Sequence, residues 1–272
     1  MNYKKFVLSV ALSTLFSFLP DSSFSDVVVS EEKRGFYVGT QYRVGVPNFS
    51  NFSAAETIPG LTKKIFALSY DATDITKETS FKQAYDPTYA SSFNSFSGVM
   101  GCYFNSMRIE FEGSYSHFES ERQFYREGSN NYKFFALSRE ETITSKKFVV
   151  LENNGVIDRS LNVNFCYDIT RGDVPLAPYV CAGVGADYIK FLGISLPKFS
   201  YQVKFGVNYP VKSNIMLFGG GYYHKVVGSK YERVEIAYHP SIEEAPKITS
   251  ASANLNTDHF GCEVGIRFAF IN

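Results

Sequence analysis

Tryptophan is absent from this 272-residue chain, cysteine occurs only four times, and the charges cancel, with 27 lysines and arginines against 27 aspartates and glutamates. A balanced chain offers no field to polyanions, which excludes an electrostatic nucleic-acid binder. Long apolar runs are missing after the first 25 residues, which excludes a bundle of transmembrane helices but not a barrel, whose strands alternate apolar and polar residues. There is no Cys-x-x-Cys, and His117, His224, His239 and His259 are scattered without ligand spacing, so neither a metal nor a cofactor is expected. No Gly-x-Ser-x-Gly elbow occurs, and the glycine clusters at Val180–Gly185 and Gly219–Gly221 lie inside strand-like segments rather than ahead of a helix. An enzyme is therefore not expected. What the chain does hold is aromatic: 26 Phe and 19 Tyr, too many for a disordered segment.

The start reads as a secretory leader. Lys4 and Lys5 precede an apolar stretch from Phe6 to Leu19, and Ser23-Phe24-Ser25 supplies small residues for cleavage before Asp26. On this reading residues 1–25 are a signal peptide and 26–272 one barrel domain, with 25 basic and 26 acidic groups after Lys4, Lys5 and Asp21 are lost.

Beyond the leader, period-two segments dominate. In 199–209, Phe199, Tyr201, Val203, Phe205, Val207 and Tyr209 share one face, opposite Ser200, Gln202, Lys204, Gly206 and Asn208. Eleven residues is the length of a tilted membrane-crossing strand. In 107–118, Met107, Ile109, Phe111 and Tyr115 oppose Arg108, Glu110, Glu112, Ser114 and Ser116. With 35–46, 94–104, 159–169, 178–189, 215–227 and 259–270 this makes eight strands. The connections are 47, two, 40, eight, nine, five and 31 residues, alternately long and short. The reading is an all-β, antiparallel, up-and-down transmembrane barrel of eight strands with long extracellular loops. Segments 64–69, 133–138, 146–151 and 231–238 are apolar enough to lengthen hairpins or raise the count to 10–12.

Pairing 159–169 with 178–189 about their turn makes opposed numbers sum to 347, setting Phe165 on Ala182, Val163 on Val184 and Cys166 on Cys181. The Cys166–Cys181 pair is either a cross-strand disulfide, suited to an oxidising compartment, or two buried thiols. Cys102 and Cys262 fall on the lipid face of non-adjacent strands. Strand parity points Arg43, Arg108, Lys204 and Arg267 inward, with Glu110, Glu112, Asp168 and Glu263. Such groups either fill a narrow barrel as ion pairs or line a weakly selective pore. Without Trp, Tyr42, Tyr103, Tyr115, Tyr188, Tyr209 and Tyr222 are expected to form the interfacial girdles.

The stretch from Glu263 through Gly265 and Phe268 to Phe270 resembles the terminal-strand signal read by the outer-membrane assembly machinery, although Ile271-Asn272 follow it. Met1–Lys5, Phe36-Tyr37-Val38, Arg108–Glu112, Asn164–Asp168, Pro178–Gly185, Lys198–Tyr201, His259–Cys262 and Arg267–Phe270 together resemble the major surface antigens, or immunodominant outer-membrane proteins, of Ehrlichia and Anaplasma. The resemblance implies a surface-exposed barrel antigen with porin-like passive diffusion of small hydrophilic solutes. The alternative is a non-conducting adhesin, and third an enzyme at the rim using His117, Glu119 and Ser120, or His224 with Ser229. Expected partners are outer-membrane lipid, the assembly machinery, and host-cell surface proteins or antibodies reached through loops 47–92, 119–158 and 228–258, where Phe49, Phe52, Tyr70, Tyr85, Tyr89, Tyr125, Tyr132, Phe134 and Phe135 suit protein recognition.

Overall fold

The computed structural model describes residues 34–122, 129–144, 146–169, 176–240, 242, 246 and 250–271, so the expected leader lies outside the described residues. In chain order the strands are β1 (Arg34–Pro47), β2 (Ser50–Glu56), β3 (Lys64–Leu68), β4 (Phe81–Ala84), β5 (Ser92–Phe104), β6 (Met107–Phe118), β7 (Phe134–Ser138) and β8 (Phe148–Glu152). They continue with β9 (Val156–Asp168), β10 (Ala177–Phe191), β11 (Ile194–Lys212), β12 (Ile215–Val226), β13 (Lys230–Val234), β14 (Ala251–Asn256) and β15 (Asp258–Ile271). Eight of them close a barrel in the order β1-β15-β12-β11-β10-β9-β6-β5. No sheet edge is left in this barrel, the condition a strand structure must meet to cross hydrocarbon.

Alternation sets the two faces. Phe96, Met100, Phe111, Phe165, Phe205 and Phe270 are exposed on the outside, and they stand beside further exposed apolar residues around the wall. A water-soluble surface does not carry so continuous an apolar band; a lipid-facing one must. The 347 register holds residue for residue, with Ala182 on Phe165 and Cys181 on Cys166. Glycine matters where the wall is tightest. Gly206 and Gly220 pair across β11 and β12, and a Cβ on Gly220 would stand 2.1 Å from the Phe205 carbonyl oxygen. One on Gly206 would strike both the Gly219 carbonyl and the ring of Tyr179.

The apolar segments outside the predicted staves do form strands, but not barrel strands. They build two separate sheets at the long-loop end, β13-β14-β2 and β4-β3-β7-β8. The barrel therefore keeps eight members, and the option of 10–12 is corrected. Segments this short cannot span a bilayer, since β3, β7, β8 and β13 have only five residues each. The similar hexamers 64–69 and 133–138 pair with one another, Phe66 opposite Ala136 and Ala67 opposite Phe135.

These sheets form a cap with its own apolar interior. Phe135, Leu137, Val149, Leu151, Tyr231, Ala251 and Leu255 pack with Phe118, Val156, Phe191 and Val226 from the barrel's long-loop end. Phe66, Leu68, Phe81, Phe148 and Val150 form a second cluster with Ala136. The aromatics assigned to recognition are largely core residues: Tyr89 and Phe135 are buried, and Phe49, Phe52 and Tyr85 pack partly buried against them. Tyr70 is the exposed exception among those described, and Tyr125 lies outside the described residues. The nine-residue third loop is corrected as well. Strands β10 and β11 run on until only Leu192 and Gly193 separate them, at φ 47° and 82°, the positive pair that a tight hairpin turn demands.

Two girdle assignments fail. Tyr103 and Tyr222 are buried, with the Arg43 guanidinium 3.8 Å over the Tyr222 ring. A buried guanidinium gains from an aromatic face as it loses water. Tyr42 and Tyr188 do lie exposed on the outside.

Candidate functional site

The eight charged residues assigned to the interior converge on one network. β1 supplies Arg43, β6 supplies Arg108, Glu110 and Glu112, β9 supplies Asp168, β11 supplies Lys204, and β15 supplies Glu263 and Arg267. All eight are buried, from fully covered Glu110 to Asp168 at 7% exposure. Glu112 is the hub. It meets Arg43 at 3.1 Å and Lys204 at 2.9 Å, and accepts hydrogen bonds from Gln41, Ser97, Asn164 and Gln202. Lys204 also reaches Glu263 at 3.1 Å. Arg108 grips Asp168 with two bonds of 2.8 and 3.0 Å and touches Glu110 at 3.1 Å. Arg267 donates to Asn208 at 2.7 Å and lies 3.5 Å from Glu110.

Such a network follows from size. An eight-stranded barrel has an interior just wide enough for side chains, so inward charges must meet their opposites. Four cations face four anions, and pairing offsets part of what each ion loses in dehydration, although Arg43 Nε and Nη2 and Arg267 Nε have no hydrogen-bond partner among the described residues. Parity found these eight and put Gln202 on the same face, without singling out the bonds that the neutral inward residues make. Gln41 and Gln202 donate to Glu112, Tyr37 donates to Glu110 at 2.9 Å, and Tyr179 donates to Glu263 at 3.3 Å. Their inward parity was the available signal.

Toward the short-turn end, Cys166 and Cys181 are joined as a disulfide and packed with Tyr179 and Phe218. Cys102 and Cys262 are free and half-buried on the outer wall. The bridge spans 15 residues, for which the loop-closure account gives about 3 kcal/mol of stabilisation. The oxidised protein in detergent is therefore expected to unfold at higher urea than the Cys166→Ser, Cys181→Ser double variant, by a free energy of that order. Equal midpoints would show that the bridge contributes nothing.

Gly265, Phe268 and Phe270 lie on β15, which closes the barrel by pairing with β1, Phe270 opposite Phe36 and Phe268 opposite Val38. Phe268 and Phe270 face outward. At the rim, His117 Nδ1 is 4.0 Å from Glu119, but the Ser120 hydroxyl donates at 2.6 Å to the Asn153 carbonyl. His117 and Glu119 line a recess of about 470 Å³ with Lys133, Lys190 and Glu235. His224 is not at an open rim; it is buried against Asp187 and Asp158.

A closed eight-stranded antiparallel barrel with an apolar exterior and a charged, filled interior is the architecture of an outer-membrane protein. The family model described as surface antigen matches residues 29–270, and the chain belongs to that family. It is 30% identical over 247 residues to major surface antigen 4 of Anaplasma marginale, an alignment covering 86% of this chain and 83% of that protein. Among solved structures it is similar to Neisserial surface protein A, with a TM-score of 0.44 and 15% identity over 88% of this chain and all of that one. It is also similar to a major outer membrane protein from Thermus thermophilus, with a TM-score of 0.40 and 9% identity over 86% of this chain and 99% of that one.

Proposed function

We propose that this outer-membrane surface antigen is a closed barrel that displays a folded cap outside the cell, and that the cap rather than the lumen does its work. The observation carrying this reading is the burial of Glu112, Lys204, Arg43 and Glu263 in one mutually bonded cluster across the barrel. Solute passing down the axis would have to separate those pairs, leaving charges without partners in a narrow, largely dry space. Between the first two readings of the sequence, a porin-like channel and a non-conducting adhesin, the geometry favours the second.

In this account residues 1–25 direct export and are removed, and the assembly machinery reads Gly265, Phe268 and Phe270 on the strand that closes the wall. The cap then faces macromolecules such as host-cell surface proteins or antibodies. Support comes from the cap's build: an apolar core fixes the sheets, while residues such as Tyr70 and Ile58 stay exposed. A rigid platform loses less entropy on binding than free loops would.

The test is permeability. Proteoliposomes carrying folded protein, verified by heat-modifiable gel mobility, are expected not to swell in isosmotic sugars or amino acids. Swelling that depends on solute size would reject the closed-barrel reading and restore the channel.

A further inference from the structure

The barrel interior holds a second polar cluster nearer the cap, and its charges do not balance. Asp158 on β9, Asp187 on β10 and His224 on β12 each offer a ligand atom, and these atoms all lie within 4.8 Å of one another. His224 Nε2 is 2.8 Å from Asp187 Oδ2 and 3.8 Å from Asp158 Oδ2. The three residues are at most 3% exposed. Among the described residues, no lysine or arginine forms an ion pair with either aspartate. Two buried carboxylates thus share one imidazole, with the Arg43 guanidinium of the network below acting on Asp158 only at longer range.

Two further observations point to a ligand. Asp158 Oδ1 is buried with no hydrogen-bond partner, a costly arrangement for a carboxylate oxygen. The remaining groups are already oriented. The Ser200 hydroxyl donates to Asp187 Oδ1 at 2.7 Å, leaving Oδ2 toward the cluster. Gln202 Oε1 stands 3.3 Å from His224 Nδ1. Gln202 Oε1 accepts from Nδ1–H and Asp187 Oδ2 accepts from Nε2–H, so a metal ion at this cluster takes the place of the Nε2 proton while Gln202 keeps the ring oriented.

We propose that Asp158, Asp187 and His224 bind a divalent first-row transition-metal ion, with Zn²⁺ as the fitting probe. Ligand bonds of about 2.0–2.1 Å in a tetrahedron put donor atoms roughly 3.3 Å apart. The 3.8 Å separation lies near that value, and the 2.8 Å contact, a hydrogen bond in this structure, opens by about 0.5 Å when an ion replaces its proton. One nitrogen and two oxygens suit such an ion better than Ca²⁺, which gathers six to eight oxygens, or Mg²⁺, which keeps most of its water. Three protein ligands leave a position for water. The ion ties three staves together directly beneath the cap and neutralises the surplus negative charge.

The experiment uses the chain refolded in detergent, with heat-modifiable mobility confirming the barrel. After incubation with Zn²⁺ and desalting, elemental analysis is expected to find about one ion per chain, undisturbed by excess Ca²⁺ or Mg²⁺. Asp158→Asn and His224→Gln are each expected to weaken Zn²⁺ binding about tenfold or more, whereas His117→Gln leaves it unchanged. Co²⁺ is expected to give visible ligand-field bands in the unsubstituted protein that both cluster variants lack. Folded protein that retains no Zn²⁺ and shows no Co²⁺ bands would overturn the proposal. So would Asp158→Asn and His224→Gln variants that bind as tightly as the parent. Should a variant fail to fold, the Co²⁺ spectrum of the parent decides alone.

Discussion

Glu112→Ala is expected to lose about 3–5 kcal/mol of barrel stability, the range for removing one partner of a buried ion pair. The loss arises less from the bonds removed than from what stays behind. Lys204 keeps Glu263 at 3.1 Å, but Arg43 retains only a 3.9 Å approach to the same carboxylate. Gln41, Gln202 and Asn164 lose an acceptor at the same time. Lys204→Ala strands Glu112 in the mirror-image way, although Arg43 still holds that carboxylate. Replacing both with apolar residues of similar volume is expected to cost less than the sum of the single changes, since one anion and one cation leave together and Arg43 and Glu263 remain to face each other at 3.9 Å. Urea unfolding in detergent, followed by circular dichroism, measures all three. In a closed barrel these variants change stability and not ion preference, so altered selectivity in a bilayer, or an unmoved urea midpoint, would contradict the network's proposed role.

Breaking the Glu56–Arg139 pair is expected to release the cap while sparing the barrel. Glu56, at the end of β2, accepts two bonds from Arg139 at 2.7 and 2.9 Å, and Arg139 also donates to the Pro246 carbonyl at 3.1 Å. One guanidinium therefore fastens parts of three inter-stave segments. Glu56→Ala removes the acceptor of two charge-assisted bonds from a largely buried site, at a local cost of about 1.5–3 kcal/mol for each such bond. Limited proteolysis is expected to cut within 57–63 or 246–250 much faster, with unchanged heat-modifiable mobility of the core. A parallel fall in barrel stability would mean that cap and barrel unfold as one body.

The staves were legible because a two-sided environment writes itself into every second residue. Lys204 between Val203 and Phe205, or Arg267 between Ile266 and Phe268, has only one tolerable direction to point. The 347 register followed from the same constraint. The cap strands obeyed no such rule: Lys-Ile-Phe-Ala-Leu is apolar on both faces because each face meets a different part of the cap's core. Short unalternating runs of this kind do not reveal which sheet they join. The shrunken third loop shows a related blindness, since beyond the membrane the alternation reverses its chemistry: Ile189 and Phe191 point into the cap's core while Lys190 faces out. Asp158, Asp187 and His224 stand 29 and 37 residues apart on three strands. Only the barrel's tilt and stagger bring them level, and no spacing in the chain announces it.

Pairing of Lys64–Leu68 with Phe134–Ser138 joins the two longest segments between staves into one sheet. Drift in one is thereby tethered to drift in the other. Positions facing solvent are free to diversify singly, but a change of volume at Phe66 or Ala136 calls for a compensating change across the pair. The two longest inter-stave segments are therefore expected to change as a linked unit, with their freedom concentrated on one side.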